Sequence, residues 1–231
     1  MPPRNGRINR SRARLVRRFD AAIFDLDGVL ADSASAHFKA WKRIAEELGI
    51  PFDEEANEAL KGVDRMGSLR RILARGAVSL PQAELERIAA RKNGYYLEAV
   101  GSMTAADLLP GASALIGNAR NAGMKCALAS ASRNAPLLLE KLGIADLFDF
   151  VADAGAIAHP KPAPDIFLAC CAALGVTPQR AVGFEDAAAG VAAIRAAGIY
   201  CVGIGDAAIL AAADRVFAST ADIAFDELLS G

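Results

Sequence analysis

From Ala21 onward the chain alternates short apolar runs with segments of helical periodicity, and this alternation constrains the fold more than any other feature. The runs are "AAIF" at 21, "MKCALAS" at 124, "FDFVAD" at 148, "RAVGF" at 180 and "IYCVGIG" at 199. Helical segments lie beside the later ones: "GASALIGNARNAG" ends at Gly123, "PDIFLACCAALG" has Pro164 near its start and Gly175 at its end, and "DAAAGVAAIRAAG" ends at Gly198. Proline at the start and glycine at the end are the usual punctuation of a helix. An apolar run without polar alternation suits a strand covered on both faces, and a helix after each strand returns the chain for the next parallel one. The pattern predicts an α/β fold, a doubly wound, Rossmann-like parallel sheet.

The first run breaks the rhythm. The long stretch between it and the run at 124 has helical periodicity throughout, enough for an inserted all-helical cap domain. His37, Trp41, Ile44 and Leu48 line one helix face, Leu69, Ile72 and Leu73 a second, and Leu85, Ile88, Ala89 and Tyr96 a third. Lys92 falls on that third stripe, a poor place for a charge unless the stripe borders a polar cavity. The expected division is a basic tail at 1–20, a sheet domain built from 21–32 and 104–231, and a cap at 33–103.

With 53% hydrophobic residues among 231, a core of this size can be filled. No stretch approaches the roughly 18 consecutive apolar residues that a membrane span needs, and the N-terminus lacks an apolar signal core. Cys126, Cys170, Cys171 and Cys201 sit in apolar segments without metal-ligand spacing, which suits small buried hydrophobes in a reducing, cytoplasmic compartment. The net charge of −1 conceals seven arginines (4, 7, 10, 12, 14, 17 and 18) ahead of Asp20; removing them leaves −8. A basic tail can touch nucleic acid or an anionic surface or act as an organellar presequence, but Pro2, Pro3, Asn5 and Gly6 favour a flexible, disordered extension. The expected partner is a small molecule rather than nucleic acid or a membrane, and the chain is expected to be a monomer.

In a doubly wound sheet, ligands bind beyond the carboxyl ends of the strands. Asp25 and Asp27 follow the first run, Ser130 and Ser132 the second, Lys161 lies in the loop after the third, and Glu185 and Asp186 follow the fourth. Four carboxylates on one edge repel, so a cation is expected among them, and an all-oxygen site suits Mg²⁺ with a phosphate-bearing substrate. A phosphate dianion near Lys161 at ~4 Å gains about 4 kcal/mol at an effective dielectric of 20. Ser130 and the N–H groups beyond it suit the remaining phosphate oxygens. One aspartate can then attack phosphorus while the other handles the proton of the entering or departing hydroxyl, and Gly28 allows a sharp turn after the pair.

"FDLDGV", the serine after the second strand, "KP" and "GFEDA" resemble, in order, the four motifs of the haloacid dehalogenase superfamily. "HFKAW", "KGVDRMGSLRRIL", "ARKN", "ASASRNAPLLLEKL", "KPAPDIFLA" and "EDAAAG" are similar to its β-phosphoglucomutase family, and the likeness runs from about Ala21 to Gly205. The resemblance implies a sheet core of that type with an inserted helical cap. It implies Asp25 as nucleophile, Asp27 as general acid and base, and Mg²⁺ held by Asp25, the Asp27 carbonyl, Glu185 and Asp186. Ser130, Ala131 and Lys161 would cradle the phosphoryl group in transit, while Arg65, Ser132 and Asn134 would grip the second phosphate, with Arg133 between the last two. His37, Trp41, Gly62, Val63, Ser68 and Lys92 would line the sugar side. The implied reaction converts β-D-glucose 1-phosphate to glucose 6-phosphate through β-glucose 1,6-bisphosphate. A phosphatase acting on a small phosphorylated metabolite is the alternative, as is a binding protein that kept the scaffold, although the latter is expected to have lost the acids retained here.

Several of these residues have a second, structural reading. Asp32 and Ser33 suit a helix N-cap, as does Asn134 before Pro136. Trp41 serves equally as core or as sugar platform. His159, ahead of Pro160, has no evident partner.

Overall fold

The strand β1 (Ala21–Phe24) is buried along its whole length because it lies inside the sheet, paired in parallel with β2 (Lys125–Leu128) on one side and β4 (Ala181–Glu185) on the other. The computed structural model describes residues 18–230. Beyond β2 lies β3 (Phe150–Val151), and beyond β4 lie β5 (Tyr200–Ile204) and β6 (Arg215–Phe217), giving the order β3-β2-β1-β4-β5-β6 with every neighbour parallel. The winding reverses beside β1, which opens a crevice at the carboxyl ends of β1 and β4. The strand β6 was not foreseen; its three half-buried residues are too few to show a period.

Successive residues of a strand point to opposite faces. Ala22 and Phe24 therefore join a core with Leu128, Val182 and Phe184, covered by α5 (Ala112–Asn121), α6 (Ala135–Lys141) and α9 (Phe225–Ser230). Ala21 and Ile23 face the other way, into a core with Ala127 and Ala129 under α7 (Asp165–Leu174) and α8 (Ala188–Ala196). On the first face the rings of Phe24 and Phe184 stack, with centroids 5.0 Å apart and planes 8° from parallel.

Between β1 and β2 the chain forms α1 (Ala34–Glu47), α2 (Glu54–Glu58), α3 (Arg65–Arg75) and α4 (Gln82–Val100). Their apolar faces close on a separate core that contains Trp41, Ile44, Leu69, Ile72, Leu73, Leu85 and Ile88. Two elements join the two parts: the start of α1 carries Ala36 and Ala40, and the end of α4 carries Tyr96 and Val100, into the sheet-side core. All four cysteines are free and buried; burial pushes the thiols of Cys126 and Cys171 up to about 11 and those of Cys170 and Cys201 to about 12. Among the described residues no helix is long and apolar enough to cross a membrane. The arginine-rich run up to Arg17 lies outside them.

The stacked pair at the sheet centre has no room to relax around a missing ring. Phe184→Ala is expected to lower the unfolding free energy by about 3–5 kcal/mol, measured by urea denaturation.

Candidate active site

The site is organised around a buried ammonium. Lys161, delivered by the loop after β3, places Nζ 2.9 Å from Asp25 Oδ1 and 2.8 Å from Glu185 Oε2. Asp25 follows β1 and Glu185 ends β4, so the pairing of those strands brings the two carboxylates to one edge. Burial alone lowers the pKa of Lys161, but the charges of Asp25 and Glu185 outweigh it and hold the ammonium above its ordinary value.

One lysine does not balance the acids around it. Carboxylate oxygens of Asp25, Glu185 and Asp186 lie within 4.8 Å of one another. Glu185 is pushed up to about 7, by burial first and then by Asp25. Asp186 is raised well above the usual carboxylate range by burial and by Glu185 and Asp25. Burial also raises Asp25, against the pull of Lys161. Three clustered, mutually repelling carboxylates are an all-oxygen donor set of the kind that hard divalent cations take, so the residues fit such an ion. Two glycines make the cluster possible. Gly28 turns with φ +81°, and a methyl group there would collide with the Asp186 carboxylate; one on Gly190, in α8, would collide with that of Glu185.

Asp27 sits on the cavity side. The Ser33 hydroxyl donates to Asp27 Oδ1. This corrects the capping role expected for Ser33, which occupies the N-cap position of α1 without a side-chain cap bond. Burial raises the pKa of Asp27, opposed by that hydrogen bond and by the charges of Lys92 and Lys161.

Across from Asp27 the cap presents a polar group on an otherwise apolar stripe. Lys92 Nζ lies 2.8 Å from His37 Nδ1 and 4.9 Å from the ring centroids of both Trp41 and Tyr96. Burial, with Arg65 nearby, brings Lys92 down to about 7, and Asp27 opposes the fall. The same burial, with Lys92 and Arg65, holds His37 well below its ordinary value. An ammonium only donates, so His37 Nδ1 accepts and the neutral ring carries its proton on Nε2. That Nε2 has no hydrogen-bond partner and stands 3.7 Å from Asp27 Oδ1. The Tyr96 hydroxyl is likewise buried, beside Ser33; the sequence marks Tyr96 only as core. Its one signal was its place four residues after Lys92 on the same helix face.

A cavity of about 710 Å³ lies between cap and sheet. Of the residues expected at the site, it is lined by Asp27, His37, Trp41, Gly62, Val63, Arg65, Ser68, Lys92, Ala131, Ser132, Arg133 and Asp186. Trp41 both lines the cavity and belongs to the cap core. Asp25, Ser130, Lys161 and Glu185 are almost wholly buried. Arg65 begins α3, whose first turn is capped by Asp64 accepting from Met66 and Gly67 N–H. Burial and the like charge of Arg133 lower its pKa. Lys61, which sequence reasoning missed, also lines the cavity and its charge draws Asp186 down.

Two further expectations need correction. Asn134 does not cap α6; its side chain reaches the cap and donates to Asn93 Oδ1 at 2.8 Å. His159 does have a partner, with Nδ1 2.8 Å from Asp165 Oδ1.

The sequence profile of the haloacid dehalogenase-like hydrolases matches residues 19–198. The chain is 44% identical over 210 residues to a β-phosphoglucomutase of Bacillus subtilis, covering 90% of this chain and 93% of that one. It is 35% identical over 178 residues to the fructose-1-phosphate phosphatase YqaB of Escherichia coli, covering 76% and 91%. The crystal structure of a β-phosphoglucomutase from Clostridium difficile superimposes with a TM-score of 0.89 at 42% identity, over 92% of this chain and 96% of that one.

The acid cluster makes stability depend on pH in a definite direction. Glu185 has a folded pKa of about 7 against an ordinary 4.5. The folded state therefore binds the extra proton, and its contribution is present below 4.5 and lost as pH rises through about 7. Thermal melts in a chelator are expected to fall across this window, and added divalent cation to restore them.

Proposed function

The chain belongs to the haloacid dehalogenase-like hydrolase family, and from this we propose that it catalyses the magnesium-dependent interconversion of β-D-glucose 1-phosphate and glucose 6-phosphate, through an aspartyl-phosphate and β-glucose 1,6-bisphosphate. The observation that carries the reading is the presence of two cationic poles, Lys161 beneath the cavity and the Arg65 and Arg133 guanidiniums on its wall. Two like charges such as Arg65 and Arg133 on one cavity call for an anion between them. A bisphosphate spans both poles, whereas hydrolysis of a monophosphate needs only the first.

In this reading Asp25 is the nucleophile. A carboxylate oxygen forms a bond to the 1-phosphoryl phosphorus of the bisphosphate as the phosphorus–sugar oxygen bond breaks, and glucose 6-phosphate departs. Asp27 protonates the departing oxygen; burial keeps its pKa raised, which favours the acid form that this step requires. In the return half-reaction the 6-hydroxyl of β-glucose 1-phosphate attacks the aspartyl-phosphate, and Asp27 takes its proton. Bound by Asp25, the Asp27 carbonyl, Glu185 and Asp186, Mg²⁺ would offset the repulsion between phosphate and carboxylate. Lys161 keeps Asp25 in one orientation, and Ser130 with the Ala131 N–H holds phosphoryl oxygens. The free Nε2 proton of His37 is available to a sugar hydroxyl, with Lys92 fixing the ring. Gly62, Val63, Ser68 and Trp41 shape the sugar side, and Ser132, Asn134, Arg65 and Arg133 take the other phosphate.

The protein, mixed with Mg²⁺, β-glucose 1-phosphate and a trace of β-glucose 1,6-bisphosphate, is expected to form glucose 6-phosphate without matching release of free phosphate. Stoichiometric phosphate with little isomerised product would assign a phosphatase instead. Asp25→Asn should abolish turnover and phosphoenzyme alike, and normal turnover in that variant overturns the nucleophile.

Lys92 supplies a pH signature. With its pKa at about 7 in the free protein, kcat/KM is expected to fall as pH rises through about 7, because the deprotonated amine no longer attracts the anionic substrate. A pH profile of kcat/KM tests this, and in Lys92→Met that limb should be absent.

A further inference from the structure

Asparagine is among the best helix N-caps, and losing such a cap costs about 1 kcal/mol. Asn134 stands at that position on α6, yet its side chain makes no cap bond. It crosses instead to the cap, where Nδ2 donates to Asn93 Oδ1 at 2.8 Å. Both residues are half-buried. The hydrogen bond ends a continuous line. Ser132 N–H donates to Ser130 Oγ at 3.1 Å, Asn134 N–H donates to Ser132 Oγ at 3.3 Å, and the Asn134 amide then reaches Asn93. Asn93 directly follows Lys92 on α4, one of the two helices that contribute to both cores.

We propose that Asn93 is a positioning residue: its Oδ1 fixes the Asn134 amide and docks the helix bearing Lys92 onto the loop of Ser130 and Ser132, so that cap closure and grip on the second phosphate of a sugar phosphate are one event. This rests on the reading of the site given above. An amide NH₂ has two protons. The clasp uses one of them and fixes the direction of the other, which is left for a phosphate oxygen. Without Asn93, Asn134 is free to turn back and cap α6, and the closed cap loses a polar tie to the phosphate loop. A cap that opens more often also admits water to the aspartyl-phosphate.

The test compares wild type, Asn93→Ala, Asn134→Ala and the double variant, following glucose 6-phosphate and free phosphate together. Alanine is a strong helix former, so α4 should persist, and melting temperatures verify that Asn93→Ala is folded. Its KM for β-glucose 1-phosphate is expected to rise about fivefold, the scale of one lost hydrogen bond, and the share of phosphoenzyme lost as free phosphate should increase. The double variant should be no worse than Asn134→Ala alone, because Asn93 acts through Asn134. An unchanged KM and product ratio in Asn93→Ala, or additive losses in the double variant, would overturn the proposal. A wild-type protein that only releases phosphate would sink the mutase reading by itself. In that case a raised hydrolytic KM in Asn93→Ala with no further loss in the double variant still supports the clasp, and an unchanged one rejects it.

Discussion

The contact on which the rest of the site depends is the buried ammonium of Lys161 between Asp25 and Glu185. Neither carboxylate, taken from water to the end of a buried strand, would stay charged without a partner. The lysine offsets part of that cost and also fixes both side chains, so that β1, β4 and the loop after β3 are held in one relation. A lysine buried among aliphatic residues is a liability; here it is stabilised by the same two acids that need it. The acids that this one lysine does not balance, Asp186 among them, leave at the edge a donor set that fits a divalent cation.

The cap has a matching arrangement of opposite sign. Lys92 is as deeply buried as Lys161 but among the described residues has no carboxylate within ion-pair distance; a histidine nitrogen and two aromatic rings surround it. Its ammonium is therefore held in a state near the edge of deprotonation. Aromatic faces stabilise a cation less than a carboxylate does. The consequence is a positive charge that gains most when an anion arrives, and the energy of substrate binding is tied to the helix that carries it. Arg65, at the start of a neighbouring cap helix, is in the same position with respect to Arg133. Acids thus gather at the sheet edge while cations stand on the cavity wall, Lys92 and Arg65 from the cap and Arg133 from the loop after β2.

Much of this was legible because strand ends are easy to locate. The apolar run "AAIF" has to be a strand covered on both faces, so the polar residues just past it, Asp25 and Asp27, have to lie at the sheet edge; the same reasoning placed Ser130, Glu185 and Asp186 there. Helical spacing likewise marked Lys92 as a charge on an apolar stripe. What stayed hidden was the direction of side chains across chain segments. Ser33 and Asn134 occupy N-cap positions, and pattern alone assigns them to their own helices; only the folded chain shows Ser33 turned to Asp27 and Asn134 turned to Asn93. Tyr96 read as core because its ring is core, while its hydroxyl is not. Gly190 lies inside a helical segment whose pattern carries no sign of the Glu185 carboxylate that needs its space, because that carboxylate belongs to another element.

These hidden contacts share a physical character. Each is a hydrogen bond or close approach that forgoes a local interaction for a distant one, and local propensity therefore points away from it. Ser33 could cap α1 and Asn134 could cap α6, each worth about 1 kcal/mol to its own helix. Both side chains turn toward distant groups instead, Ser33 to the carboxylate of Asp27 and Asn134 to the side-chain oxygen of Asn93 on the cap. A fold whose only demand were stability would have kept the caps. That the two exceptions to local preference flank the cavity, one at the start of the cap and one at the edge of the sheet domain, marks the joint between domains as the place where stability has been yielded to orientation.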